Sequence, residues 1–74
     1  MTDEPKHRSL LTGREREIFN LLINDFTTKD IAGRLGISEK TVRNHISNTI
    51  QKLGVSGRAQ AIIELLRLGE LHLR

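Results

Sequence analysis

The sequence predicts an all-α domain of four helices, and three observations carry that expectation. Helix-start residues stand at Thr12, Thr27 and Ser38, and glycines stand where the second and third helices should stop, at Gly36 and Gly54. Between these marks the apolar residues recur at intervals of three and four, the period of one helix face. With 74 residues there is room for one small domain, which buries only about 60% of its unfolded surface and so needs good packing or a partner.

Residues 1–9 are polar, contain the only proline and show no periodicity, so they read as a mobile arm ahead of a domain over residues 10–74. Asp3 and Glu4 offset Lys6 and Arg8, which favours a disordered tail over an arm that enters a minor groove. Helix one opens on Thr12-Gly13-Arg14-Glu15, a capping box in which the Thr12 hydroxyl accepts from the Glu15 amide while Glu15 reaches back. Ile18, Phe19, Leu21, Leu22 and Ile23 supply its buried side, and Asn24-Asp25-Phe26 breaks the pattern. Thr27 caps a short helix two, in which Ile31, Ala32 and Leu35 fall at helical spacing before Gly36 takes the C′ position. Ser38 caps helix three, with Ile37 placed to staple onto Val42. A helix, a turn of about four residues containing glycine and a second capped helix together form a helix-turn-helix pattern.

Helix three has two faces. Val42, Ile46, Ile50 and Leu53 fall within an arc of about 80°, and Lys40, Arg43, Asn44, Ser47 and Gln51 within another of about 100°, mostly on the far side. Gly54 ends it, and Val55-Ser56-Gly57 turns the chain into helix four, from about Arg58 to Leu68. The apolar residues of helix four (Ala59, Ala61, Ile62, Ile63, Leu65, Leu66 and Leu68) cover about 220°, twice what one core contact requires. Part of that arc needs a cover other than this domain's core, because small soluble proteins avoid large exposed apolar patches. A second copy is the simplest candidate, with Ala61, Ile62, Leu65, Leu66 and Leu68 as the dimerisation residues; the sequence does not say which arc faces inward.

Charge points to the same helix. The chain carries a formal net charge of +3, and residues 40–63 alone contain Lys40, Arg43, Lys52 and Arg58 with no carboxylate. A basic, acid-free amphipathic helix on a small domain is the electrostatic mark of a polyanion binder. Trp and Tyr are absent and there are two Phe, so stacking on unpaired bases is poorly supplied and double-stranded DNA is the expected partner. In a helix-turn-helix the second helix presents its first turns to base edges, which nominates Lys40, Arg43, Asn44 and Ser47 as base readers. Arg43 can fork onto guanine and Asn44 onto adenine, although Asn44 could equally contact phosphate or water. Thr27, Thr28 and Lys29 at the start of helix two, and Ser38 and Thr41 at the start of helix three, lie where free amides and the helix dipole suit phosphate oxygens. Capping alone would also explain Thr27 and Ser38. Lys52 and Arg58 extend the basic track. His45 lies between the two faces and reads as a packed histidine rather than a base reader.

Other functions are poorly supported. Three histidines at positions 7, 45 and 72 have no ligand spacing, and there is no cysteine, so no metal site, cofactor, small-molecule ligand or enzymatic activity is expected. No apolar run approaches the roughly 20 residues of a membrane span and no signal peptide opens the chain, which makes a cytoplasmic protein the expectation. A helical protein-interaction module, with helix four docked on another regulator or on RNA polymerase, is the alternative.

The residues also carry a family resemblance. Leu-Thr-x-Arg-Glu from Leu10, the Ile-Ala-x-x-Leu of helix two, Ile-Ser-x-x-Thr-Val-Arg-x-His from Ile37, and Lys-Leu-x-Val followed by Arg-x-Gln-Ala from Lys52 resemble the LuxR-type (GerE-type) helix-turn-helix family, from about Leu10 to Leu68. The resemblance implies a four-helix domain that dimerises through its last helix and regulates transcription. It implies bases opposite Arg43, Asn44 and Ser47, and phosphates near Thr28, Lys29, Thr41 and Lys52. Three positions depart from the common pattern: Arg43 where many members have Lys, Thr28 where many have Asn, and Gly57 where a Ser or Asn cap is usual. Within the family the chain looks most like stand-alone members that control late spore-coat genes in the mother cell, without a sensor domain, which implies regulation through synthesis and degradation.

Overall fold

The computed structural model describes residues 10–73, so the arm expected over residues 1–9 lies outside the described residues. Four helices follow in order: α1 (Gly13–Leu22), α2 (Thr28–Leu35), α3 (Glu39–Leu53) and α4 (Arg58–Arg67). The first three begin where side-chain chemistry says they should. The Thr12 hydroxyl accepts from the Glu15 amide at 3.1 Å while the Glu15 carboxylate accepts from the Thr12 amide at 3.0 Å. A second capping box, legible only as a lone cap in the sequence, joins Thr27 and Asp30 in the same reciprocal way. Ser38 caps α3 by accepting from the Thr41 amide at 3.0 Å. Gly57 starts α4 with no side-chain cap, the weak start that its position suggested.

Helix ends are set by left-handed residues. Gly36, at φ +70°, lets the amide of Ile37 turn back onto the carbonyl of Ala32, closing α2 tightly enough for Ser38 to begin α3 two residues on. The α2–α3 pair is thus the helix-turn-helix expected from the sequence.

One core holds the four helices, and α3 packs against each of the other three. Ile18 and Phe19 of α1, Ile31 and Ala32 of α2, Val42 and Ile46 of α3, and Ala61 and Leu65 of α4 are buried together with Leu11. Leu21, Leu22 and Ile23, read as core from the sequence, are only half-buried against this cluster, as are Leu35, Ile37, Ile50 and Leu53. Thr49 completes the buried stripe of α3. Its hydroxyl donates to the carbonyl of His45 at 2.9 Å, which satisfies a polar group that the sequence pattern had left outside the core. At the rim, the guanidinium of Arg34 lies 4.9 Å over the ring of Phe26, a cation–π contact between α2 and the loop before it.

The chain beyond α4 belongs to the core as well. Gly69, at φ +77°, allows the amides of Glu70 and Leu71 to bond the carbonyl of Leu65 at 2.8 and 3.2 Å. That turn drives Leu71 into the interior. It also brings Glu70 to Arg16 of α1, with an ion pair at 2.6 Å and a hydrogen bond from the guanidinium to the Glu70 carbonyl.

The orientation of α4 corrects part of the sequence reading. Ala61 and Leu65 are fully buried in the protomer's own core, so neither can lie on a self-association face. They sit on the inner arc because their positions, four residues apart, form the stripe that meets α3.

A single ionic contact ties the far end of α3 to the start of α1. The Lys52 ammonium donates to Glu15 at 2.7 Å and to the Leu10 carbonyl at 2.8 Å. Burial pushes the Glu15 carboxyl up, but hydrogen bonds from Lys52 and from the Thr12 amide, with the charges of Lys52 and His45, outweigh it and hold the group below its ordinary value of 4.5. A carboxyl depressed by folding contributes stability that is complete above its unfolded value and lost as pH falls through the folded one. Chemical denaturation of Glu15→Gln should therefore show a loss of about 1.5–3 kcal/mol at neutral pH, the usual worth of a hydrogen bond to a charged group. The difference from the unaltered protein should shrink as pH falls below 4.5.

Candidate nucleic-acid interface

The candidate reading face lies on α3, a helix held from behind. Val42, Ile46 and Thr49 are buried on one side, and Lys40, Arg43, Asn44 and Ser47 are exposed on the other. Their positions fall within about 100° of arc, spread over two turns, so they form a row about 10 Å long by helix geometry. The base readers nominated from the sequence are therefore brought together on one open surface.

The candidate phosphate contacts divide into two groups. Thr27, Thr28 and Lys29 start α2, and Ser38 and Thr41 start α3; the two starts are adjacent, because the Thr28 hydroxyl of α2 donates to the Glu39 carboxylate of α3 at 2.8 Å. The caps at Thr27 and Ser38 use the third amide of each helix, and the first two amides have no acceptor within their own helix. The Thr41 hydroxyl is already paired with that of Ser38 at 2.9 Å. This half of the candidate set forms a continuous rim beside the α3 row.

Lys52 and Arg58 lie elsewhere. Lys52 is about 18 Å along the α3 axis from Lys40, with its ammonium engaged by Glu15 and Leu10. Its first role is to tether α3 to α1. Arg58 opens α4 and is exposed. A further contact was missed in the sequence: Glu39, the last acid before the acid-free window, pairs with Arg43 at 3.1 Å, one turn along. The spacing of four residues was the available signal.

The remaining apolar arc of α4 forms a separate surface. Ile62 and Leu66 are half-buried beside the core, Ala59 is exposed, and Ile63 is 63% exposed. By helix geometry these four share about 100° of arc. Leu68, 46% exposed, lies on the opposite flank of the buried stripe. Ile63 and Ala59, omitted from the dimerisation set, thus stand where Ala61 and Leu65 do not. The open cleft of about 450 Å³ between α1 and the C-terminal tail, lined by Arg16, Asn20, Asn24 and His72 among others, involves none of the candidate residues. Among the described residues there is no cluster that could hold a metal ion, and no helix is long and apolar enough to cross a membrane.

The anchoring role of Lys52 and the expected reading role of Lys40 are separable. Lys52→Ala should lower Tm by at least roughly 4–8 °C, the shift that each loss of about 1 kcal/mol produces in a domain of this size. Lys40→Ala should leave Tm unchanged, as differential scanning calorimetry of the two variants would show.

Comparison with known proteins gives one consistent answer. Residues 9–65 match the family model for GerE, bacterial regulatory proteins of the luxR family. The chain is 67% identical over 70 residues to the spore germination protein GerE of Bacillus subtilis (strain 168), covering 95% of each. It is 41% identical over 71 residues to the transcriptional regulatory protein DegU of Brevibacillus brevis, covering 96% of this chain and 29% of that one. It therefore spans nearly the whole of the first relative and less than a third of the second. Among solved structures, that of the transcription factor GerE superposes with a TM-score of 0.88 at 80% identity, covering 90% of this chain and all of the other.

Proposed function

This chain belongs to the luxR family of bacterial regulatory proteins and is a DNA-binding regulator of transcription rather than an enzyme; from that premise we propose that it binds duplex DNA as a dimer with α3 in the major groove. The observation that carries the proposal is the exposed row of Lys40, Arg43, Asn44 and Ser47 on a helix whose opposite side is locked into the core. A rigid helix presenting donors and amides is the form that base-edge readout requires, and each good bidentate contact gives about 1–3 kcal/mol of discrimination. The rim formed by Thr27, Thr28, Lys29, Ser38 and Thr41 serves the phosphates, with Arg58 as a flanking cation, while the Lys52 ammonium is held by Glu15 and the Leu10 carbonyl.

One protomer reads too few base pairs to select a genomic site. Two copies joined through Ala59, Ile62, Ile63 and Leu66 would cover the exposed arc of α4 and read two half-sites about 10 bp apart. The high identity to a spore germination protein over almost its full length supports a role in spore formation, at late coat genes in the mother cell, with the protein on the nucleoid. A second function rests on the same apolar arc: α4 could dock on another regulator or on RNA polymerase.

Salt separates these functions. DNA binding should weaken with a log–log slope of about −0.9 for each phosphate neutralised, whereas an apolar protein contact should hardly respond. Selection from random duplexes should yield a paired site, and Arg43→Ala should relax one base position in each half by about 1–3 kcal/mol; unchanged preference would remove Arg43 from the readers. Sedimentation should show a dimer at micromolar concentration or on DNA, and Ile63→Glu should give a folded monomer with weakened binding to the paired site. A chain that stays monomeric both free and bound would end the dimer proposal.

A further inference from the structure

We propose that Glu39 is a specificity-determining positioning residue: its carboxylate aims Arg43 at bases and withholds it from phosphates. The inference rests on the DNA-binding function proposed above. Its basis is one oxygen atom with two partners. Oε2 of Glu39 accepts from the Thr28 hydroxyl at 2.8 Å and from Nη2 of Arg43 at 3.1 Å. Glu39 is the first residue of α3, Thr28 the first of α2, and Arg43 lies one turn into the reading row. A single side chain thus links both helices of the helix-turn-helix to the one arginine that can fork onto a guanine.

Geometry and charge act together here. An arginine free at the surface samples many rotamers and can reach any nearby phosphate. Paired one turn back along its own helix, and with its anchor fixed from α2, the Arg43 guanidinium loses that freedom before DNA arrives. The same pairing cancels its charge. On random duplex, where only phosphates are offered, Arg43 then adds little; at a matched base its fork, with five donors, can bond a guanine edge and keep the Glu39 contact. The salt bridge is exposed, with 58% and 38% of the two side chains accessible, so it contributes little to folding. Its placement has a consequence for discrimination instead.

The test compares the unaltered full chain with Glu39→Gln, Arg43→Ala and the double variant, each titrated with its selected duplex and with random duplex across a range of salt. Glu39→Gln keeps an acceptor for Thr28 and removes the charge that holds Arg43. It should tighten binding to random duplex several-fold and steepen the salt slope there by about 0.9, one added phosphate. It should also relax the base position that Arg43→Ala relaxes. In the Arg43→Ala background the same change should have no effect on either ratio or slope. An unchanged specificity ratio in Glu39→Gln, or an equal effect with and without Arg43, would overturn the proposal. Glu39→Ala provides the same comparison if the glutamine variant loses its helical circular dichroism. Failure of the unaltered chain to bind any duplex would instead sink the DNA-binding proposal, so the two failures are distinct.

Discussion

The packing of α3 against all three other helices governs the rest of the molecule. Val42, Ile46 and Thr49 are held by residues from α1, α2 and α4, so the opposite side of α3 is placed by the whole core rather than by one neighbour. In a chain this short the core has few layers, and interiors packed to crystal-like density transmit small displacements. A core substitution behind α3 would therefore move the reading row as well as reduce stability. On the proposed DNA-binding function, structure and recognition are coupled through this one helix.

Charge is more localised in space than in sequence. Residues 40–63 carry four cationic side chains and no acid, but two of those cations already have partners from outside the window: Lys52 is bound by Glu15 and Arg43 by Glu39. The first contact is partly buried and joins α3 to α1; the second is solvent-exposed and anchored from α2 through Thr28. Salt screens the exposed pair more than the partly buried one. Lys40 and Arg58 remain as the open cations of the segment, so the proposed DNA contact draws on helix-start amides and hydroxyls as well as on formal charge.

Much of this was legible in the residues because caps and glycines are local signals. Thr12-Gly13-Arg14-Glu15 needs only its own four residues to be read, and so does the Gly36-Ile37-Ser38 turn. The exposed polar row on α3 followed from the helix period and the sign of charge. The parts that escaped depend on partners distant in sequence. Nothing near Leu71 announces that the chain turns back at Gly69, since the hydrogen bonds and the Arg16–Glu70 pair that hold it there form only in the folded molecule. Thr49 looked polar because its bond to His45 is invisible until the helix exists. The inner arc of α4 could not be chosen because seven apolar residues covered too wide an angle, and only contact with α3 shows that Ala61 and Leu65 point inward.

That width is itself informative. Ile62 and Leu66 give only part of their surface to the protomer's own core and Ile63 is 63% exposed, and apolar exposure favours aggregation, so the surface they form with Ala59 is explained best by a cover. The start of α4 is also the one helix start among the described residues without a side-chain cap. A helix that begins weakly and exposes apolar residues along its outer arc gains more from association than a well-capped amphipathic one would. If a second copy supplies the cover, binding DNA and completing the fold become linked, because a two-fold site holds both protomers where their α4 helices can meet. Association would then stabilise the helix that makes it, and the affinity for paired half-sites would exceed what two separate domains achieve.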